Sequence, residues 1–179
     1  MEQMLLVEID RCWGCKACQV ACKQAHQTPP GLGGVEVQAV EGPGGQPRCD
    51  YIPVMCQHCS DAACAKACPR GAIKRGAAGE QLIDDALCIG CGLCVRACPF
   101  GAVYLRPDTG RAEKCDLCAV RRAQGLVPAC AQHCLGRAIT LCDVEEVRRR
   151  TAGRHIWSMG RVVYVSDQVI FPTKDYVYF

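Results

Sequence analysis

Apolar and polar positions change rhythm several times along these 179 residues. Residues 3–10 alternate loosely and predict an opening strand that delivers Cys12. From Cys18 to about Gln27 the pattern predicts a helix, stopped by Pro29-Pro30. Residues 28–50 are rich in Gly and Pro around an alternating Val35-Glu-Val-Gln-Ala-Val40, which predicts a short hairpin arm rather than a core strand. Gln81–Asp84 and Ala102–Leu105 predict a pair of strands, with a turn at Asp108-Thr109-Gly110 beyond them. Val144 to about Thr151 predicts a short basic helix, and Arg161–Ser166 a strand within the tail that begins at Ser158.

None of these segments is long or aromatic enough to build an ordinary core. Half the residues count as hydrophobic, but 18 of them are cysteine, and without those the apolar share falls to about 40%, below the usual level. Something other than large side chains must fill the interior. The N-terminus is acidic where a secretory signal is basic, and its apolar run is four residues, against about 7–15 in a signal. No run approaches the ~20 apolar residues of a membrane helix. The expectation is a cytoplasmic chain with no membrane contact of its own, although export alongside a signal-bearing partner is compatible with it. In a reducing compartment dense cysteine argues for metal rather than disulfides.

Sixteen of the cysteines fall into four sets of four. The first is Cys12, Cys15, Cys18 and Cys22, and the second is Cys56, Cys59, Cys64 and Cys68. The third is Cys88, Cys91, Cys94 and Cys98, followed by Pro99, and the fourth is Cys115, Cys118, Cys130 and Cys134. Three thiolates two residues apart let one tight loop wrap three corners of a cubane, and Gly90 and Gly92 supply the positive φ such a loop needs. A repeat reinforces the grouping: Cys68-x3-Ala72-Ile73, Cys98-x3-Ala102-Val103 and Cys134-x3-Ala138-Ile139. Each reads as a short helix ending and a strand opening, so the unit is loop, helix, turn and strand, used four times.

Disulfides, zinc and a catalytic thiol fit this pattern poorly. Spacings of three residues in one loop place disulfide partners badly, and three cysteines in seven residues are too many for one four-coordinate zinc. Only the fourth set, with its gap of eleven residues, could pass alone as a zinc ribbon. No cysteine is singled out beside a base. Cys49 and Cys142 belong to no set and are expected to be structural.

The third set matches the bacterial ferredoxin run that ligates [4Fe-4S] clusters, in which the fourth cysteine serves the other cluster of a pair. The order of all four sets, including Cys56-Gln-His-Cys59 and Lys114-Cys115-Asp-Leu-Cys118, resembles the four-cluster iron–sulfur subunit of dimethyl-sulfoxide-reductase-type molybdenum and tungsten enzymes. Relatives of that kind include subunits of formate dehydrogenase and polysulfide reductase, and the resemblance covers about residues 3–142. It implies an α+β fold of two bacterial-ferredoxin-like domains with short helices and two-stranded sheets, plus the insertion arm and a C-terminal tail. One domain would take residues 1–50 and 107–157 and the other 51–106; beyond the reach of the resemblance, the aromatic-rich residues 158–179 are read as a docking tail. The resemblance further implies a nested pairing, the first set with the fourth and the second with the third. One cluster then takes Cys12, Cys15, Cys18 and Cys134, and its neighbour Cys22, Cys115, Cys118 and Cys130. A third takes Cys56, Cys59, Cys64 and Cys98, and the last takes Cys68, Cys88, Cys91 and Cys94. Sequential pairing is the alternative. Lys23 and Leu135 stand where a proline often follows the fourth cysteine, which touches helix termination rather than ligation.

Four such clusters, each carrying about −2, would turn the formal +3 into roughly −5. Basic residues are therefore read as internal compensation, not a nucleic-acid patch. Lys16, Lys23, Arg70, Lys74, Arg96 and Lys114 adjoin the sets and would raise nearby potentials. Arg148–Arg150 with Arg154 and His155 reads as a solvated face, His58 as packing beside a complete set, and His26, His133 and His155 show no ligand pairing. The expected role is electron transfer without catalysis. Its partner is a catalytic subunit, molybdenum- or tungsten-pterin in type, handling formate, aldehyde or a related small substrate. A flavin, NAD-reducing or membrane quinone-linked subunit is a further expected partner. The alternative is a polyferredoxin of a hydrogenase or carbon-monoxide dehydrogenase complex. The tail, with half of the ten aromatic residues, is expected to dock on a partner subunit, the alternative being that it folds back over a cluster domain.

Overall fold

The structure, a computed structural model, describes residues 3–41 and 49–168. Strand β1 (Gln3–Glu8) leads through a 3-10 turn at Ile9–Arg11 into the first cysteine set. Helix α1 (Ala17–His26) follows, then β2 (Val35–Glu41) and β3 (Cys49–Met55). The second set brackets α2 (Ala63–Lys66), after which come β4 (Ile73–Arg75) and β5 (Gln81–Ile83). The third set holds α3 (Leu93–Ala97) and precedes β6 (Val103–Leu105) and β7 (Ala112–Lys114). Helices α4 (Ala119–Ala123) and α5 (Ala129–Gln132) lie within the fourth set. Strand β8 (Ile139–Asp143), helix α6 (Val144–Thr151), and strands β9 (His155–Ser158) and β10 (Val162–Ser166) complete the described chain.

A four-stranded sheet in the order β8-β1-β10-β9 gathers the two ends of the chain, with β1 and β10 parallel and the other pairs antiparallel. Alternate side chains of β1 serve two cores. Leu5 and Val7, with Ile9 beyond, join Val162 and Tyr164 against Cys18, Cys22 and Cys130. Leu6 points the other way, to Val163, Val165, Cys142 and Val147 beneath α6. Burial on both faces explains why Met4–Val7 reads as an apolar run rather than a clean alternation.

Helix α6 starts where Asp143 Oδ1 accepts from Glu146 N at 2.8 Å, with acids in its first turn and arginines in its last. Arg148 and Arg149 are exposed and pair with Glu145 and Glu146, so the solvated-face reading holds for them. Arg150 and Arg154 depart from it. Both reach the nearly buried Glu8, and Arg154 also engages Asp10 and Asp167, riveting α6 and the end of β10 to β1.

Four sequence expectations need correction. Residues 28–50 do contain a hairpin strand, but it is no free arm: Val35 and Val37 of β2, with Ile52 and Met55 of β3, belong to the largest buried cluster. This hairpin also carries β3 across the expected boundary at residue 50. Residues 81–83 and 103–105 do not pair with each other, because each closes a local hairpin, β4 with β5 and β6 with β7. Finally, residues 162–166 form an inner strand whose five residues are all buried, so this part of the tail packs within the chain. The aromatic residues Phe171, Tyr176, Tyr178 and Phe179 lie outside the described residues.

Candidate metal centres

Each tight cysteine loop is shaped by backbone in the left-handed region: Gly14 and Lys16 in the first, His58 in the second, Gly90 and Gly92 in the third, Leu117 and Cys118 in the fourth. That conformation turns successive amides inward and makes a concavity suited to negative charge. Gly90 is required twice over, since a Cβ there would also collide with the carbonyl oxygen of Gly110.

The loops draw distant thiols to them. Cys134 lies beside Cys12, Cys15 and Cys18, whose charges act on one another, and the four line one recess. Cys22, carried one turn further along α1, meets Cys115, Cys118 and Cys130. Cys98 adjoins Cys56, Cys59 and Cys64. Cys68 adjoins Cys88 and Cys94, and with Cys91 these line a second recess. Consecutive groups are near one another: Cys130 lies within reach of the charge of Cys18 and Cys115 of that of Cys56, and Cys64 and Cys94 share one buried cluster.

The alanines of the repeat have a purpose here. Ala72 and Ala138 are buried, and their amides donate to Cys68 Sγ at 3.3 Å and Cys134 Sγ at 3.2 Å. Leu117 N and Ala112 N donate to Cys115 Sγ and Cys88 Sγ, each at 3.4 Å. A larger side chain in place of these buried alanines would have no room beside the sulfur.

Burial pushes the thiols up, Cys18 to about 12 and Cys22 and Cys64 to about 11, with neighbouring thiols adding to the effect. Cys115 is driven well above the ordinary value for the same reason. Sixteen sulfurs gathered in fours, many of them buried, are a donor set suited to soft, multiply charged metal. The residues fit iron–sulfur clusters.

Of the six basic residues that adjoin the sets, Lys16, Arg70, Lys74 and Arg96 are exposed and Lys23 is half-buried, whereas Lys114 is only 6% exposed. Its ammonium donates to the carbonyl oxygens of Gln81 and Cys115, and its charge favours the thiolates of Cys56, Cys59 and Cys64. It therefore sits where the second and third groups meet. His58 is fully buried, accepts from Gln81 N at 3.0 Å, and is pulled down to about 2 by desolvation and then by Lys114, Arg122 and Arg161. It is a neutral packing group, as expected. His133 bonds the carbonyl oxygen of Ala129.

His26 corrects the expectation of no pairing. Its Nε2 lies 3.4 Å from Cys118 Sγ and 3.6 Å from Asp116 Oδ1. The hydrogen bond to Cys118 raises its pKa, burial opposes this, and Asp116 adds to the rise. One signal in the sequence pointed there: His26 follows Cys22 by four residues on one helix, so both occupy the same face.

The segment 155–164 braces the loop of the second cysteine set, Cys56–Cys59. Trp157 packs edge-on to Phe100 and against Tyr164, and Arg161 N and Ser60 N exchange backbone bonds with Gln57 and Met159.

The sequence model of the 4Fe-4S dicluster domain matches residues 47–144, more than half of the chain, and that of a 4Fe-4S binding domain matches residues 9–25. The thiosulfate reductase electron transfer subunit of Salmonella typhi is 38% identical over 162 residues, 87% of this chain and 84% of the relative. One chain of the anaerobic dimethyl sulfoxide reductase of Escherichia coli K12 is 34% identical over 80% of this chain and 75% of its own length. A tetrathionate reductase subunit from Salmonella typhimurium is 34% identical over 83% of this chain and 60% of its own length. The chain belongs to the iron–sulfur electron-transfer subunits of the dimethyl-sulfoxide-reductase type. As a member of that family it is a non-catalytic subunit of a reductase complex. The polyferredoxin alternative is not favoured, since the relatives are reductase subunits. Among the described residues no helix is long and apolar enough to cross a membrane.

Proposed function

We propose that the sixteen thiols hold four [4Fe-4S] clusters in the nested arrangement, forming a wire between a molybdenum- or tungsten-pterin catalytic subunit and a further electron carrier. The observation that carries this reading is the neighbour relation of the sulfurs: each loop of one set has beside it the last cysteine of another, and consecutive groups lie within reach of one another's charge or share a buried cluster. Bound clusters supply one-electron reduction and oxidation. The chain's own part is to exclude water, turn amides toward sulfur and hold a buried cation, Lys114, between the middle groups.

The outer groups are the ones that reach the surface. Cys15 and Cys91 are exposed, Trp13 and Leu135 stand 70% and 67% exposed near the group of Cys15, and Ile89 stands 63% exposed near that of Cys91. Exposed apolar groups around each outer group support contact with one redox partner at either end of the wire. The relatives' names favour a sulfur oxyanion or sulfoxide as the substrate of the complex, in place of formate or aldehyde. Membrane contact, where the complex has it, falls to another subunit, and cluster assembly suits the reducing cytoplasm.

Chemical analysis tests this directly. Anaerobically purified chain is expected to hold roughly 16 iron and as many acid-labile sulfide, and dithionite should produce a paramagnetic spectrum of interacting clusters. About four zinc with no sulfide would remove the proposal.

A further inference from the structure

The geometry points to His26 as a residue that sets the reduction potential of one cluster, the one held by Cys22, Cys115, Cys118 and Cys130, by donating its Nε2–H to Cys118 Sγ. The inference rests on the four-cluster reading and goes beyond it.

Helix α1 presents Cys18, Cys22 and His26 four residues apart, on one stripe. Cys18 faces the first group and Cys22 the second, so His26, one turn further, reaches the far side of the second group. At 3.4 Å the nitrogen is within hydrogen-bond range of sulfur. Asp116 Oδ1, at 3.6 Å from the same nitrogen, is too far to take the proton. Its carboxylate is already engaged by the turn: Cys118 N donates to Oδ1 at 2.7 Å and Ala119 N to Oδ2 at 3.2 Å. Asp116 thus orients the ring by charge while leaving the Nε2 proton to sulfur. Arg106 holds the helix end by donating to the carbonyl oxygens of His26 and Gln27.

A hydrogen bond to a ligand sulfur is stronger when the cluster carries the extra electron, so it favours reduction. Among the described residues no other histidine nitrogen is hydrogen-bonded to a cysteine sulfur. The effect is therefore confined to one cluster of four.

The test is potentiometric titration, followed by paramagnetic resonance, of the full cluster-loaded chain and of His26→Phe and His26→Gln. Iron content and the number of reducible clusters come first: about 16 iron and four clusters in the unaltered chain secure the reading beneath, and their absence would overturn that reading whatever His26 does. Given four clusters, His26→Phe is expected to make reduction of one cluster about tenfold less favourable, a fall of about 59 mV for a one-electron couple, with the others within twofold. His26→Gln, which keeps an N–H, is expected to stay within threefold of the unaltered protein. A change under twofold in every cluster of the Phe variant overturns the inference, as does a shift shared by all four. Should the Phe variant lose iron, the Gln variant decides alone: all four potentials kept supports the role, and one lowered tenfold refutes it.

Discussion

At the residue scale the sixteen set cysteines are marked by a spacing that is local, a matter of which sulfurs one loop can present. Cys49 and Cys142 stand outside that spacing, and their surroundings differ. Cys49 is exposed at the start of β3, whereas Cys142 is buried under α6 with Thr140 and Arg150 at 3.5 Å. Cys49→Ser is expected to change neither iron content nor stability. Cys142→Ala should keep all the iron and lower stability by about 1 kcal/mol. Cys130→Ala, by contrast, should lose roughly four of 16 irons. Iron and sulfide analysis of the three variants separates them, and a Cys142 variant short of iron would move that residue into a cluster. His26 was harder to see, for its sulfur partner lies 92 residues away and only helical spacing from Cys22 hinted at it.

At the element scale, α1 was readable from the prolines that stop it, α6 from its basic run, and the strands after Cys-x3-Ala from their β-branched residues. Which strand pairs with which was not, since a short apolar run carries no label for its neighbour, and the three residues of β7 are too few to announce it. The burial of β2 was hidden likewise: its Val35 and Val37 pack on a core that the sulfurs help to build. Two elements make testable claims. Gly160, between β9 and β10, lies against the backbone of the second cysteine loop, where a Cβ would collide with the carbonyl oxygens of His58 and Gln57. Gly160→Ala should cost about 1–3 kcal/mol, read as a lower unfolding midpoint of the loaded chain. Unchanged unfolding would mean that the loop yields freely.

Asp10 concerns the other end of the same sheet. Burial pulls its carboxyl up, but Ser166 Oγ, Asp167 N and Arg154 outweigh this and leave it below 3.8. Its stabilisation is thus present above the unfolded value and is lost only as pH falls through the folded one. Asp10→Asn should cost about 1–2 kcal/mol, by the same amount at about pH 5.5 and pH 8, where the carboxylate is ionised in both states. A cost that shrank markedly by pH 5.5 would show the carboxyl to titrate higher than its contacts allow.

At the scale of the whole molecule, spacing suggested four groups, while the pairing between sets came from resemblance. The sequence did not disclose that the two middle groups meet across a buried ammonium. Lys114 is one of six cations beside the sets, and in sequence it looks like the others. Burial separates it: exposed Lys16 acts through water and salt, whereas Lys114 acts through protein, where a charge is felt several times more strongly. Lys114→Met, which keeps the apolar stem, should make reduction of the two middle clusters about tenfold less favourable, a shift near 59 mV each, and leave the outer two within about twofold. The shift should persist at about 1 M salt, where the screening length has fallen to about 3 Å. Lys16→Met should move only the first cluster, by less, and lose most of its effect in that salt. Equal, salt-sensitive shifts from both substitutions would mean that Lys114 is reached by solvent, and the picture of two cluster pairs joined through a dry, positively charged seam would have to be given up.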